Sequence, residues 1–174
     1  DSDDCEININ CSEGSNWQNQ KKGVARILVT GSDGSGWCSG TLVNNTNADC
    51  RAYMLTAFHC GVKSTTHDFL QYIFYFNYEF SGCNSSFVQP STTNKTFTGS
   101  TLKARANDLT SSSTSSDFML LELTSSLPSS LDVYFNGWDV SGVAPSSGVS
   151  IHHPAGDVKK ISTFTSTPSS KKLQ

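Results

Sequence analysis

Two short segments hold residues suited to acid–base chemistry. In the first, Trp37-Cys38-Ser39-Gly40-Thr41-Leu42-Val43 is followed, after a polar loop, by Tyr53-Met54-Leu55-Thr56-Ala57-Phe58-His59-Cys60. A bridge between Cys38 and Cys60 would clip two strands together beside His59, and an imidazole held in that way has few rotamers and a defined direction. A general base needs that pre-organisation. The second segment is Ser116-Asp117-Phe118-Met119-Leu120-Leu121-Glu122-Leu123, in which Asp117 opens an alternating apolar run and so stands at a strand mouth. Each alone is a weak signal. A lone histidine before a cysteine is more often structural, and an aspartate at a strand start is usually a turn residue.

The elements that must position these groups read as strands. Short apolar runs are separated by Gly, Asn, Ser or Pro clusters, and no long stretch keeps a helical period, so the expected fold is all-β. The runs are Val24–Thr30, Ser39–Asn44, Ala52–Thr56, Phe69–Phe80, Ser100–Ala106, Asp117–Leu123, Val133–Trp138, Val149–His153 and Lys160–Thr167. In the fourth, Tyr72, Phe74, Phe76, Tyr78 and Phe80 recur at period two, which predicts one wholly aromatic face packed in a core. The Ser/Thr-rich stretches Ser91–Thr98 and Thr110–Ser116 read as exposed loops.

Composition narrows the function classes. With 16% charged residues and a net charge of −3 over 174 residues, the chain lacks the basic stripe of a nucleic-acid binder. Its lysine pairs Lys21-Lys22, Lys159-Lys160 and Lys171-Lys172 are scattered and read as solvated. No apolar run is long enough to span a bilayer, so no membrane partner is expected. The 6 cysteines include no CxxC pair and point to disulfides and an oxidising compartment. The polar start Asp1-Ser2-Asp3-Asp4 reads as a mature form from which a leader has been removed. Sequons stand at Asn44, Asn84 and Asn94.

Taken together, the segments form a pattern. Cys-Ser-Gly-Thr-Leu-Val-Asn-Asn-Thr (Cys38–Thr46), Leu-Thr-Ala-Phe-His-Cys (Leu55–Cys60), Phe-Asn-Tyr (Phe76–Tyr78), Ser-Asp-Phe-x-Leu-Leu-Glu-Leu (Ser116–Leu123), Gly-Trp-Asp (Gly137–Asp139) and Ile-His-His-Pro (Ile151–Pro154) resemble, in order, the chymotrypsin-like serine peptidases, and within them the bacterial lysyl endopeptidases. That resemblance implies a chymotrypsin-like double β-barrel. It implies His59 as general base and Asp117 as the buried carboxylate that fixes its tautomer. It also implies bridges Cys38 to Cys60 and Cys11 to Cys83, with Cys5 bonded to a cysteine later in the protein. Cys50 has no counterpart in that pattern, and its state stays open.

The resemblance breaks at the nucleophile. The family's Gly-x-Ser-Gly motif follows Ile-His-His-Pro, and none occurs here; Ser146-Ser147-Gly148 stands before that landmark, in the wrong place. The oxyanion hole and specificity pocket are missing with it. The expected organisation is an N-terminal disulfide-tethered segment (1–19), a first β-barrel with His59 and Asp117 (20–125), and the opening strands of a second, incomplete barrel (126–174). A second chain from the same precursor is expected to carry the serine. The implied function is a secreted, extracellular bacterial serine endopeptidase acting on protein or peptide substrates, with lysine preference inferred from kinship alone. The alternatives are a non-catalytic binding protein of the same fold and an inactive fragment. No cofactor or metal is expected, because adjacent His152 and His153 on a strand point to opposite faces. His67 reads as surface, Trp17 and Trp138 as packing groups, and Trp37 as a packing group or a shaper of the substrate cleft.

Overall fold

A computed structural model describes residues 2–3, 5–84, 89–106 and 116–169. The fold is β-rich, with two antiparallel sheets among the described residues. The larger has seven strands: β2 (Val24–Gly31), β3 (Gly34–Val43), β4 (Tyr53–Thr56), β5 (Ile73–Phe76), β6 (Thr96–Thr98), β7 (Ser100–Arg105) and β8 (Met119–Leu123), in the order β6-β5-β2-β3-β4-β8-β7. The smaller orders as β1-β10-β9, from β1 (Ile7–Asn8), β9 (Gly148–His152) and β10 (Lys160–Phe164). Segment 1–19 thus supplies an edge strand to the second sheet, and its Cys11 is bonded to Cys83. This arrangement is an incomplete chymotrypsin-like barrel.

Alternation builds the core. Ala25, Ile27 and Val29 point inward from β2 and meet Leu42, Met54, Phe74, Phe76, Met119 and Leu121 from the neighbouring strands. Burying each large apolar side chain contributes about 1.5–3 kcal/mol relative to exposure. Gly40 is required by this packing, since a Cβ there would stand 2.7 Å from Ile27 Cδ1 and 2.9 Å from Met54 Sδ.

Three expected elements differ. Only Ile73–Phe76 of Phe69–Phe80 is strand. A capping box at Thr65 and Asp68 turns Thr66–Phe69 (α1) into one helical turn, and Asn77, at φ 50°, ends the strand. The aromatic period nevertheless holds: Tyr72, Phe74, Phe76 and Tyr78 are buried, and Phe80 is half-buried. Val133–Trp138 is not a strand, because the free edge of β3 is short. β2 leaves β3 at Thr41, and the segment attaches beyond it through the single bridge Val43–Asn136. The Ser91–Thr98 loop ends in a short edge strand, β6. Residues 110–115 of the other expected loop lie outside the described residues, as do Lys171 and Lys172.

Two burial expectations also fail. Trp138 is 54% exposed, its indole N–H donating to the Asn44 carbonyl at 3.2 Å. Lys21, Lys159 and Lys160 are buried rather than solvated. Glu79 explains the first two: its carboxylate accepts from Lys21 Nζ at 2.6 Å and from Lys159 Nζ at 3.0 Å, and Lys159 also donates to the Lys21 carbonyl. Burial alone would push Glu79 up, but the two lysines outweigh it and hold it below its ordinary value.

Candidate active site

Thr56 ends β4 opposite Met119, the first residue of β8. Past those ends the chain turns into a 3-10 helix over Phe58–Gly61, while Asp117 lies two residues before β8. The two segments therefore meet at one lip of the sheet. Asp117 Oδ1 accepts the His59 main-chain N–H at 2.8 Å, and Oδ2 lies 2.5 Å from His59 Nδ1. The Cys38–Cys60 disulfide ties the helix to β3. Thr56 Oγ1 adds a 2.8 Å bond to the Ser39 carbonyl.

This geometry determines the protonation chemistry the ring can perform. With Nδ1 facing a carboxylate, the neutral ring carries its proton there and presents the Nε2 lone pair outward. Burial works to raise the pKa of Asp117, but hydrogen bonds from the His59 ring and amide, the ring's charge and the Phe58 amide outweigh it and hold the carboxyl below its ordinary value. The carboxylate is not buried, as the resemblance implied: its side chain is 41% exposed and that of His59 66%. It lies outside the β8 ladder, and among the described residues no neighbouring strand covers it.

Cys38, His59 and Cys60 bring three possible metal-ligand atoms within 4.8 Å of one another, but both sulfurs are spent in the disulfide and offer no thiolate. His152 and His153 diverge. His152 faces Glu6 across 3.8 Å, while His153 is buried with Nδ1 on the Asp157 carbonyl at 2.9 Å. Ser146 and Ser147 lie on an exposed loop before β9. Cys5 and Cys50 are exposed and unbridged among the described residues.

Comparison with known proteins bears directly on this site. All of residues 1–174 match the family model described as lysyl endopeptidase, C-terminal domain. The chain belongs to the lysyl endopeptidase family. It is 34% identical over 164 residues to the lysyl endopeptidase of Pseudomonas aeruginosa, an alignment covering 91% of this chain and 33% of that protein. The chain thus spans about a third of the length of that relative.

Within this lysyl endopeptidase family member, sequence reasoning missed the contacts that join the two sheets. Arg26 Cζ stands 3.6 Å from the centre of the Tyr78 ring, 4.2 Å from that of Trp37 and 4.6 Å from that of Tyr75, and the guanidinium donates to the Gly156 carbonyl at 2.9 Å. Gly156 packs so tightly on Trp37 that a Cβ would stand 2.4 Å from its Cγ. The His153 amide donates to Ser39 Oγ at 2.8 Å, on the residue next to the Cys38 bridge. Trp37 thus contacts Arg26 and Gly156 while 42% of it stays exposed. The one signal available in sequence was Arg26 at an outward position of an otherwise apolar strand.

Proposed function

We propose that this chain supplies the general base, His59, and its orienting carboxylate, Asp117, to a secreted serine endopeptidase that cleaves after lysine. The nucleophilic serine belongs to a segment outside these 174 residues. The two-point hold of Asp117 on His59 carries the reading, because it leaves Nε2 free to take a proton from a hydroxyl. In acylation the serine oxygen bonds to the peptide carbonyl carbon while its proton passes to Nε2. The imidazolium then returns that proton to the departing amine as the carbon–nitrogen bond breaks, and Asp117 stabilises the cation between the two transfers.

Lysine preference rests on the family's description and the name of its Pseudomonas relative. Secretion is supported by the two disulfides, which persist in oxidising compartments. The exposed apolar side chains of Tyr134, Trp138, Val140 and Val143 support docking of the serine-bearing segment, on a second chain of the precursor, against residues 134–143.

The test is a serine-directed fluorophosphonate probe on the complete protein, with matched lysyl and arginyl peptides. One serine outside residues 1–174 becomes labelled, labelling falls with His59→Ala, and lysyl peptides are cut preferentially. Absence of labelling, or cleavage indifferent to His59→Ala, overturns the reading in favour of a non-catalytic binding protein or an inactive fragment. Intact-mass and size-exclusion analysis under non-reducing conditions checks the second chain. A stable lone 18.8 kDa monomer refutes it.

A further inference from the structure

Arg26 and Ser39 stand opposite each other in the β2–β3 ladder, and between them they hold the turn that joins β9 to β10 at two points. Arg26 Nη1 donates to the Gly156 carbonyl at 2.9 Å, and the His153 main-chain N–H donates to Ser39 Oγ at 2.8 Å. The turn is braced in its own right. His153 Nδ1 donates to the Asp157 carbonyl at 2.9 Å, Asp157 Oδ1 accepts the Val158 N–H at 2.7 Å, and Asp157 Oδ2 accepts Ser2 Oγ at 2.5 Å. A group seated on it therefore takes one position rather than a range of them.

Ser39 is also tied to the segment that carries His59, and by two routes. Its carbonyl accepts Thr56 Oγ1 at 2.8 Å, on the residue that ends β4 just before the helix. Its neighbour Cys38 is bonded to Cys60, the residue after His59. The half-buried Ser39 hydroxyl thus links the second sheet to both ends of the segment 56–60. His153 is 3% exposed, so its amide has little access to water once that hydroxyl is gone. A buried N–H left without an acceptor costs more than the lost bond contributed, and the turn must shift to find another.

We propose that Ser39 is a positioning residue for His59, passing the seat of the 153–157 turn to the general base. That role presupposes the proposed peptidase reading. The His59 side chain is 66% exposed, so few neighbours confine it, and the direction of Nε2 is set by Asp117 and by where the backbone of 56–60 stands. Misplacing a catalytic group by about 1 Å costs on the order of a hundredfold in rate, so a small drift of this backbone is felt in kcat. The second sheet acts on the chemistry in this way through one hydroxyl.

The complete protein is compared with Ser39→Ala, Ser39→Thr and Ser39→Val on a lysyl peptide, and the His59 Nδ1 proton, shared with Asp117, is followed by 1H NMR. Ser39→Ala lowers kcat roughly three- to tenfold with KM unchanged, the equivalent of one lost neutral hydrogen bond, while Ser39→Thr, which keeps the hydroxyl, stays within about twofold of wild type. The Nδ1 proton signal broadens in Ser39→Ala, as exchange with water quickens, and persists in Ser39→Thr. Where the alanine variant does not fold, Ser39→Val is read against Ser39→Thr, since the two share a shape and differ in the hydroxyl. Turnover with equal kcat in all variants, equal losses with and without the hydroxyl, or a loss of stability or of kcat that leaves the proton signal unmoved overturns the positioning role and spares the peptidase reading. A proton signal that follows the hydroxyl in a protein without turnover supports the positioning of His59 and overturns the peptidase reading. Neither turnover nor a response of the proton overturns both.

Discussion

Thr56 and Met119 face each other across the β4–β8 ladder, and that one register sets the site. Carried past both strand ends, it brings Phe58 opposite Asp117, which is why a single carboxylate can grip both the amide and the ring of His59. A slip by one residue would turn every inward side chain of β8 outward and lose the contact.

Asp117→Asn tests what the carboxylate does beyond holding the ring. The amide preserves shape and one acceptor, but it cannot favour the required tautomer or stabilise an imidazolium. In the complete protein kcat falls roughly ten-thousand-fold, the loss known for the equivalent change in a serine-protease triad, while the melting temperature barely moves. A loss under tenfold would mean that His59 works without Asp117.

Among the described residues, Glu79 is the sole carboxylate bonded to the buried amines of Lys21 and Lys159. Glu79→Gln leaves two buried cations uncompensated and destabilises by about 3–5 kcal/mol, read from urea unfolding. The double change Glu79→Gln with Lys159→Met recovers part of that loss. Equal stability of wild type and single variant would show that water, rather than Glu79, satisfies the lysines.

Gly156 bears on Trp37 at a left-handed φ of 74°. Gly156→Ala both strains the backbone and drives a methyl into the indole, at a cost of about 1–3 kcal/mol. The variant also changes the intrinsic tryptophan emission, since the indole must leave Arg26. Unaltered emission would place the second sheet elsewhere.

His153 is buried neutral, and desolvation first, then the Lys159 charge, lowers its pKa to about 3. The charges of Arg26 and Glu79 also face it, and its Nδ1 hydrogen bond ends on the Asp157 carbonyl. The unfolded chain takes up this proton near the ordinary histidine value of about 6.5, well before the folded one does. The contribution is therefore complete above about pH 6.5 and is lost as pH falls toward 3, a few kcal/mol in all. His153→Phe flattens that part of the stability profile; an unchanged slope between pH 6 and pH 4 would show that other groups cause it.

The local chemistry was readable in one dimension. Short apolar runs marked β2 and β4, and period-two alternation marked β8 and the buried aromatic face, because side chains on a strand alternate sides whatever the strand pairs with. His59 and Asp117 stood out since each sits just beyond such a run. Where tertiary context decides, the reading failed: Val133–Trp138 has strand composition but only a short free edge to pair with. Lys159 looks solvated until Glu79, from a distant part of the chain, is folded against it. Arg26 on Gly156 and Lys63 on Asp33 likewise join residues that no spacing relates. Composition and period are local properties and survive in the sequence; a desolvated charge's partner and the register of a ladder arise only when remote segments are brought to contact.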